Sequence, residues 1–163
     1  MRLSNKSKVP LYNFYLTVIN LLLFAGIIAF LLEILRFNIL GNEQYLLLIV
    51  PVLLLAIFIL RGKQIFEYDS DGEAINFKNR NIFPLFYKNV SDEFPKYKVI
   101  KYEVKDLIVL KRLYLTISSK KKNFIILKYD ISYLTKKELN DLKFSLNKVI
   151  KNNREKEKLQ LTQ

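Results

Sequence analysis

Cysteine and histidine are both missing from the 163 residues. Without cysteine there is no disulfide framework, no thiol nucleophile and no lipidated lipoprotein terminus. Without histidine the commonest general base and transition-metal ligand is gone as well. Glycine is scarce, with four residues at positions 26, 41, 62 and 72. That scatter excludes a phosphate-cradling loop or a dinucleotide fingerprint, both of which need clustered glycines for close backbone approach. An ordinary enzyme is therefore not expected, and no cofactor is implied. Glu103 and Asp106 are the nearest approach to an acid–base pair, and two carboxylates three positions apart on strands read as surface charges.

Charge is the other scarcity, and it is local. Residues 11–60 carry only Glu33, Arg36 and Glu43, whereas residues 61–163 carry 23 basic and 13 acidic side chains. An apolar segment is thus joined to a soluble domain. Val9 to Leu32 is an uncharged run of 24 residues, about 36 Å as a helix against a hydrocarbon thickness of roughly 30 Å. Gln44 to Leu60 is a second uncharged run, apolar on every face and broken only by Pro51. Proline there frees a carbonyl one turn earlier and gives a modest kink. We read a transmembrane hairpin over residues 11–61, with spans at about 11–33 and 44–61. A cleaved signal peptide is the competing reading of the first run, but the stretch is too long and ends in no small-x-small site. Between the runs, Asn38, Gly41 and Asn42 suit a tight reversal.

Lys and Arg set the orientation. Arg2, Lys6 and Lys8 precede the first span, Arg61 and Lys63 follow the second, and the loop has only Arg36. Both termini are expected in the cytoplasm, with residues 1–10 as a short cytoplasmic segment. Asn13, Thr17 and Asn20 share one face of the first span, and Ala25, Gly26 and Ala29 lie on roughly the opposite face. One stripe is expected on the second span; the other meets lipid or, in the sharper reading, a second copy in a homo-oligomer.

Beyond Gly62 the pattern turns to short alternating apolar runs, an antiparallel sheet. Expected strands are 64–68, 74–79, 82–87, 97–104, 107–110, 112–118 and 124–129, with 89–95 a polar loop. Asp69-Ser70-Asp71-Gly72 is a hairpin turn. Ile100, Tyr102 and Val104 should face the core from one strand, and Leu113, Leu115 and Ile117 from another. Thr135-Lys136-Lys137-Glu138 is a capping box opening a helix whose inward stripe is Leu139, Leu142, Leu146, Val149 and Ile150. Residues 154–163 read as a charged tail.

This order of elements is that of the pleckstrin-homology superfold. With the hairpin, the Phe66–Gly72 turn and the Tyr129-Asp130-Ile131-Ser132-Tyr133-Leu134 approach to the capping box, the chain resembles small bacterial membrane proteins carrying a cytoplasmic PH-like domain. The resemblance implies an α+β chain: a two-helix transmembrane hairpin, then over 62–153 a PH-like antiparallel β-barrel of six or seven strands capped by a C-terminal helix. It also implies a bacterial inner-membrane location and no reaction. The expected role is a non-catalytic interaction or membrane-surface module; the alternative is an accessory subunit of a transport or secretion complex, contacting it through Asn13, Thr17 and Asn20.

Lipid-binding PH domains present cations in the first hairpin, whereas here that loop holds Glu67, Asp69, Asp71 and Glu73, which repel phosphate. Calcium is disfavoured there too, because the loop is too short and lacks a later bidentate Glu. Basic side chains at Arg61, Lys63, Lys120, Lys121 and Lys122 are the candidate contacts for anionic lipid headgroups. A purely compositional excess of Lys explains the same charge. Nucleic acid is not expected, since no recognised motif accompanies it. The protein partner is left open.

Overall fold

The computed structural model describes residues 1–83, 88–119 and 122–161. It divides into two compact units, one of Pro10–Leu60 and one of Met1–Val9 with Arg61–Gln163.

The first unit is a helical hairpin. Helix α1 spans Val9–Leu32 and α2 spans Leu46–Leu60. With their flanking turns, both are long and apolar enough to cross a membrane. Apolar side chains stay largely uncovered along both, with Leu21, Phe24, Leu31 and Leu53 half or more exposed. The reversal uses the residues suited to it: α1 ends in a π-helical turn, Asn38 caps it with φ +46°, and Gly41 follows at φ +52°. The Asn38 amide donates to the Glu33 carbonyl at 2.8 Å, and the Glu33 carboxylate accepts from the Leu40 amide. The helices meet at Gly26, where a Cβ would lie 2.3 Å from the Leu47 carbonyl oxygen and 3.3 Å from Pro51 Cγ. Small residues at that crossing let two backbones approach closely.

Among the described residues the second unit holds seven strands and one long helix. Strands β1 (Arg2–Ser4), β2 (Ile65–Asp69), β3 (Ala74–Arg80) and β4 (Val90–Pro95) form one antiparallel sheet in that order. Strands β5 (Val99–Asp106), β6 (Lys111–Ser119) and β7 (Asn123–Asp130) form another. Helix α3 covers Lys136–Leu161. The chain is thus α+β, but among the described residues the two sheets do not join into a closed barrel. Phe77 of β3 fastens one sheet to the other, stacked on Tyr129 of β7 at 4.4 Å and 14°. Tyr68 ties the first sheet to α3, its hydroxyl 2.9 Å from Ser145 Oγ.

Local signals explain most of this. Gly72 has φ +75°, and Asp69 Oδ1 accepts from the Asp71 amide at 2.9 Å, which makes the expected turn. Leu113, Leu115 and Ile117 of β6 are buried, as is Thr116 between the last two. The capping box forms: Glu138 Oε2 accepts from the Thr135 amide at 2.7 Å, and Thr135 Oγ1 accepts from the Glu138 amide at 3.2 Å. Leu142, Leu146, Val149 and Ile150 are buried beneath it.

Four elements differ from the sequence reading. Residues 2–4 pair with β2, Leu3 opposite Tyr68. Residues 90–95 are a strand, not a loop, because Val90, Asp92 and Phe94 alternate with polar neighbours against β3. Residues 107–110 are a turn, closed by Leu107 N–H to the Leu110 carbonyl at 2.8 Å. The strand expected at 82–87 falls at 84–87 outside the described residues, and Ile82 and Phe83 are bends. Ile100 also leaves the core face: a register shift between Val99 and Lys101 makes it the extra residue of a bulge, 44% exposed. The charged tail is helical as far as Leu161, consistent with its content of Glu, Lys and Leu.

Candidate functional site

A groove of about 720 Å³ with converging polar groups lies between β5 and α3. Its floor is Tyr102 and Val104 of β5 and Ile150 of α3, and its rim carries Lys101, Lys143, Lys151 and Arg154 among five basic side chains against two acidic. Helical spacing puts Lys143, Lys151 and Arg154 within one face of α3, beside the stripe that enters the core. Strand β5 pairs with β6 on one side only, and its other edge has no strand partner among the described residues. Asn153 pins the groove's end, its amide donating to the carbonyls of Lys96 and Val99 at 2.8 and 2.9 Å. An open strand edge beside a basic, part-apolar helix face suits an extended acidic segment.

A buried polar cluster lies where the chain returns from α2. Gly62 sits at φ +82°, and a Cβ there would be 2.8 Å from Asp130 and from Leu110 Cδ1. Asp130 binds Arg112 Nε at 2.9 Å and accepts from the Lys63 amide at 3.3 Å. Asn79 donates to the carbonyls of Ile65 and Asp130 and accepts from the Asp130 amide. Burial lowers the Lys63 ammonium from its ordinary value, with Asp130 opposing. Tyr129 donates to Asp92 at 2.8 Å, and burial, then that carboxylate, raise its phenol well above the usual range. These hydrogen bonds clasp the chain at Lys63 and strands β3 and β6 to β7.

Glu67 and Asp69 of the first hairpin have partners too. Arg2 binds Asp69 at 2.9 Å and Arg80 binds Glu67 at 2.8 Å, which gives this acidic loop a structural reason. Among the described residues no group of three or more Asp or Glu could hold a metal ion.

Among the described residues, the structure does not bring Arg61 and Lys63 together with Lys122. Arg61 lies over the Tyr133 ring at 5.0 Å, while Lys63 is only 9% exposed. Lys122 is in the turn beyond β6, and Lys120 and Lys121 lie outside the described residues. Lys63 lies at Asp130, which pairs with Arg112 at one end of β6, and Lys122 follows the other end; seven residues of strand put these ends about 23 Å apart. Asn13, Thr17 and Asn20 are all exposed, on the side of α1 away from Gly26. The sequence does not mark the groove because its walls, Lys101–Val104 and the residues from Lys143 on, are far apart along the chain; the basic face of α3 is its one sequence signal.

Comparison with known proteins finds no matching family model, no matching curated protein and no matching solved structure.

Proposed function

We propose that this chain is a two-span membrane protein that holds a non-catalytic, PH-like docking module at the cytoplasmic face of a bacterial inner membrane. The observation that carries it is the pairing of β1 with β2. These strands flank the helical hairpin in sequence and are neighbours in one sheet, with Ser4 opposite Glu67. The apolar segment therefore leaves the folded unit and returns to the same sheet, which supports two crossings rather than one. The basic flanks of the hairpin, against a single Arg36 in its loop, support the cytoplasmic side for both termini. Four strands, then three, then a long helix is the order expected of a PH-like domain, and the basic groove between β5 and α3 is where a partner's acidic segment docks.

The second reading, an accessory subunit that binds its complex through the membrane, draws on the exposed Asn13, Thr17 and Asn20 face. Carboxamides at bilayer depth favour a helix partner over lipid. Photo-reactive residues placed at Lys101, Asn147 and Asn20 of the full chain in cells separate the two. Adducts at 101 and 147 that vanish with Lys151→Glu and Arg154→Glu support docking in the groove. Adducts confined to position 20 favour the membrane contact and contradict the groove.

A further inference from the structure

Reversing turns are built from Gly, Asn, Asp and Pro, because these supply positive φ or local hydrogen bonds. The turn from β5 to β6 has none of them. Its residues are Leu107, Ile108, Val109 and Leu110, and none has positive φ. Leu107 is 49% exposed, Ile108 wholly exposed and Val109 37% exposed. Three consecutive large apolar side chains at a tip break the local rule without a packing gain, and such breaks concentrate at functional positions.

The surroundings identify what covers this tip. Leu110, at its base, packs against Gly62 closely enough to exclude a Cβ, and Gly62 stands two positions after Leu60, the end of α2. Two peptide units span at most about 7 Å, so the tip is tethered beside the point where the apolar chain ends. Charged residues collar it as ion pairs: Lys111 with Asp106 at 2.8 Å, Lys105 with Glu103 at 3.6 Å and Arg112 with Asp130 at 2.9 Å. An apolar point above a ring of ion-paired side chains matches the headgroup boundary of a bilayer, where apolar side chains enter the acyl region and charged groups stay among the headgroups. We infer that the Leu107–Leu110 turn is a membrane-contact element that inserts Leu107, Ile108 and Val109 into the lipid surface, in place of the basic turn at Lys122. This rests on the reading of α1 and α2 as membrane spans.

The test uses the full chain in vesicles of phosphatidylethanolamine and phosphatidylglycerol. Native cysteine is absent, so Ile108→Cys, Lys122→Cys and Leu53→Cys each carry one environment-sensitive fluorophore, and nitroxide lipids report depth. Ile108 packs on nothing, so its replacement leaves the core intact. The expected result is deep quenching at 53, blue-shifted emission with shallow quenching at 108, and a water-like spectrum at 122. Quenching at 53 with a water-like probe at 108 overturns the membrane-contact inference and leaves the spans standing. A water-like probe at 53 removes the spans, and the inference with them.

Discussion

Asn5 and Phe66 are bonded to each other twice over. The Phe66 amide donates to Asn5 Oδ1 at 2.8 Å and the Asn5 amide donates to the Phe66 carbonyl at 3.2 Å, while Asn5 Nδ2 reaches the Gln64 carbonyl at 2.8 Å. Asn5 is wholly buried. One side chain thus closes the gap in the sheet that the inserted hairpin opens.

Asn5→Ala therefore leaves the Phe66 N–H without its acceptor and the Gln64 carbonyl without this donor. The expected loss is about 3 kcal/mol, read as a lowered denaturant midpoint in detergent micelles. Asn5→Asp should recover part of it, since a carboxylate still accepts from the Phe66 amide but cannot donate. A soluble version of the unit must keep residues 1–9, because a fragment starting at residue 62 omits β1.

Gly26 sets the distance between α1 and α2. Gly26→Ala places a methyl group 2.3 Å from the Leu47 carbonyl oxygen, so the helices must part. The expected cost is about 2 kcal/mol, measured as easier denaturation of the full chain, with Ala25→Val at the same crossing a milder companion.

Lys8 gives the unit an acid limit. Its ammonium lies 2.7 and 2.8 Å from the two Glu138 oxygens. Burial works to raise that carboxyl, but Lys8 and the Thr135 amide and hydroxyl outweigh it and hold the group below its ordinary value. A carboxyl held low by folding stabilises fully above its unfolded value of about 4.3, and loses that contribution as pH falls through the lower folded value. Melting temperature should fall over that acid window. Lys8→Met should lower stability near neutral pH by on the order of 1 kcal/mol and flatten the acid slope.

The basic groove should bind acidic peptide by charge. A Glu-rich extended peptide should lose about tenfold in affinity with Lys143→Glu and Lys151→Glu together, and wild-type binding should weaken as salt rises. Unchanged affinity, checked by fluorescence anisotropy, would remove charge from the explanation.

Local chemistry made much of this legible. The apolar runs located α1 and α2, Gly72 located a turn, Thr135 and Glu138 located the start of α3, and the Leu113–Ile117 alternation located a core strand. What escaped was non-local. Strand β1 is three residues whose partner lies more than 60 positions away, and no window of sequence carries that pairing. Leu107–Leu110 reads as a strand because β-rich residues occupy a turn, and Ile100 leaves the core through a bulge that periodicity does not mark. Lys63 reads as a surface cation by its neighbours, yet the Asp130 clasp takes it inside. The groove failed for the same reason as β1, since Lys101 and Lys151 meet only through the fold.

Sidedness tests the central claim most directly. Asn42→Cys, in the reversal between α1 and α2, and Lys137→Cys, on α3, are both exposed and would each be the only cysteine in the chain. In sealed, right-side-out vesicles from expressing cells, a membrane-impermeant maleimide should label position 42 at once and position 137 only after permeabilisation. Labelling of both positions from the same side before permeabilisation would contradict two crossings.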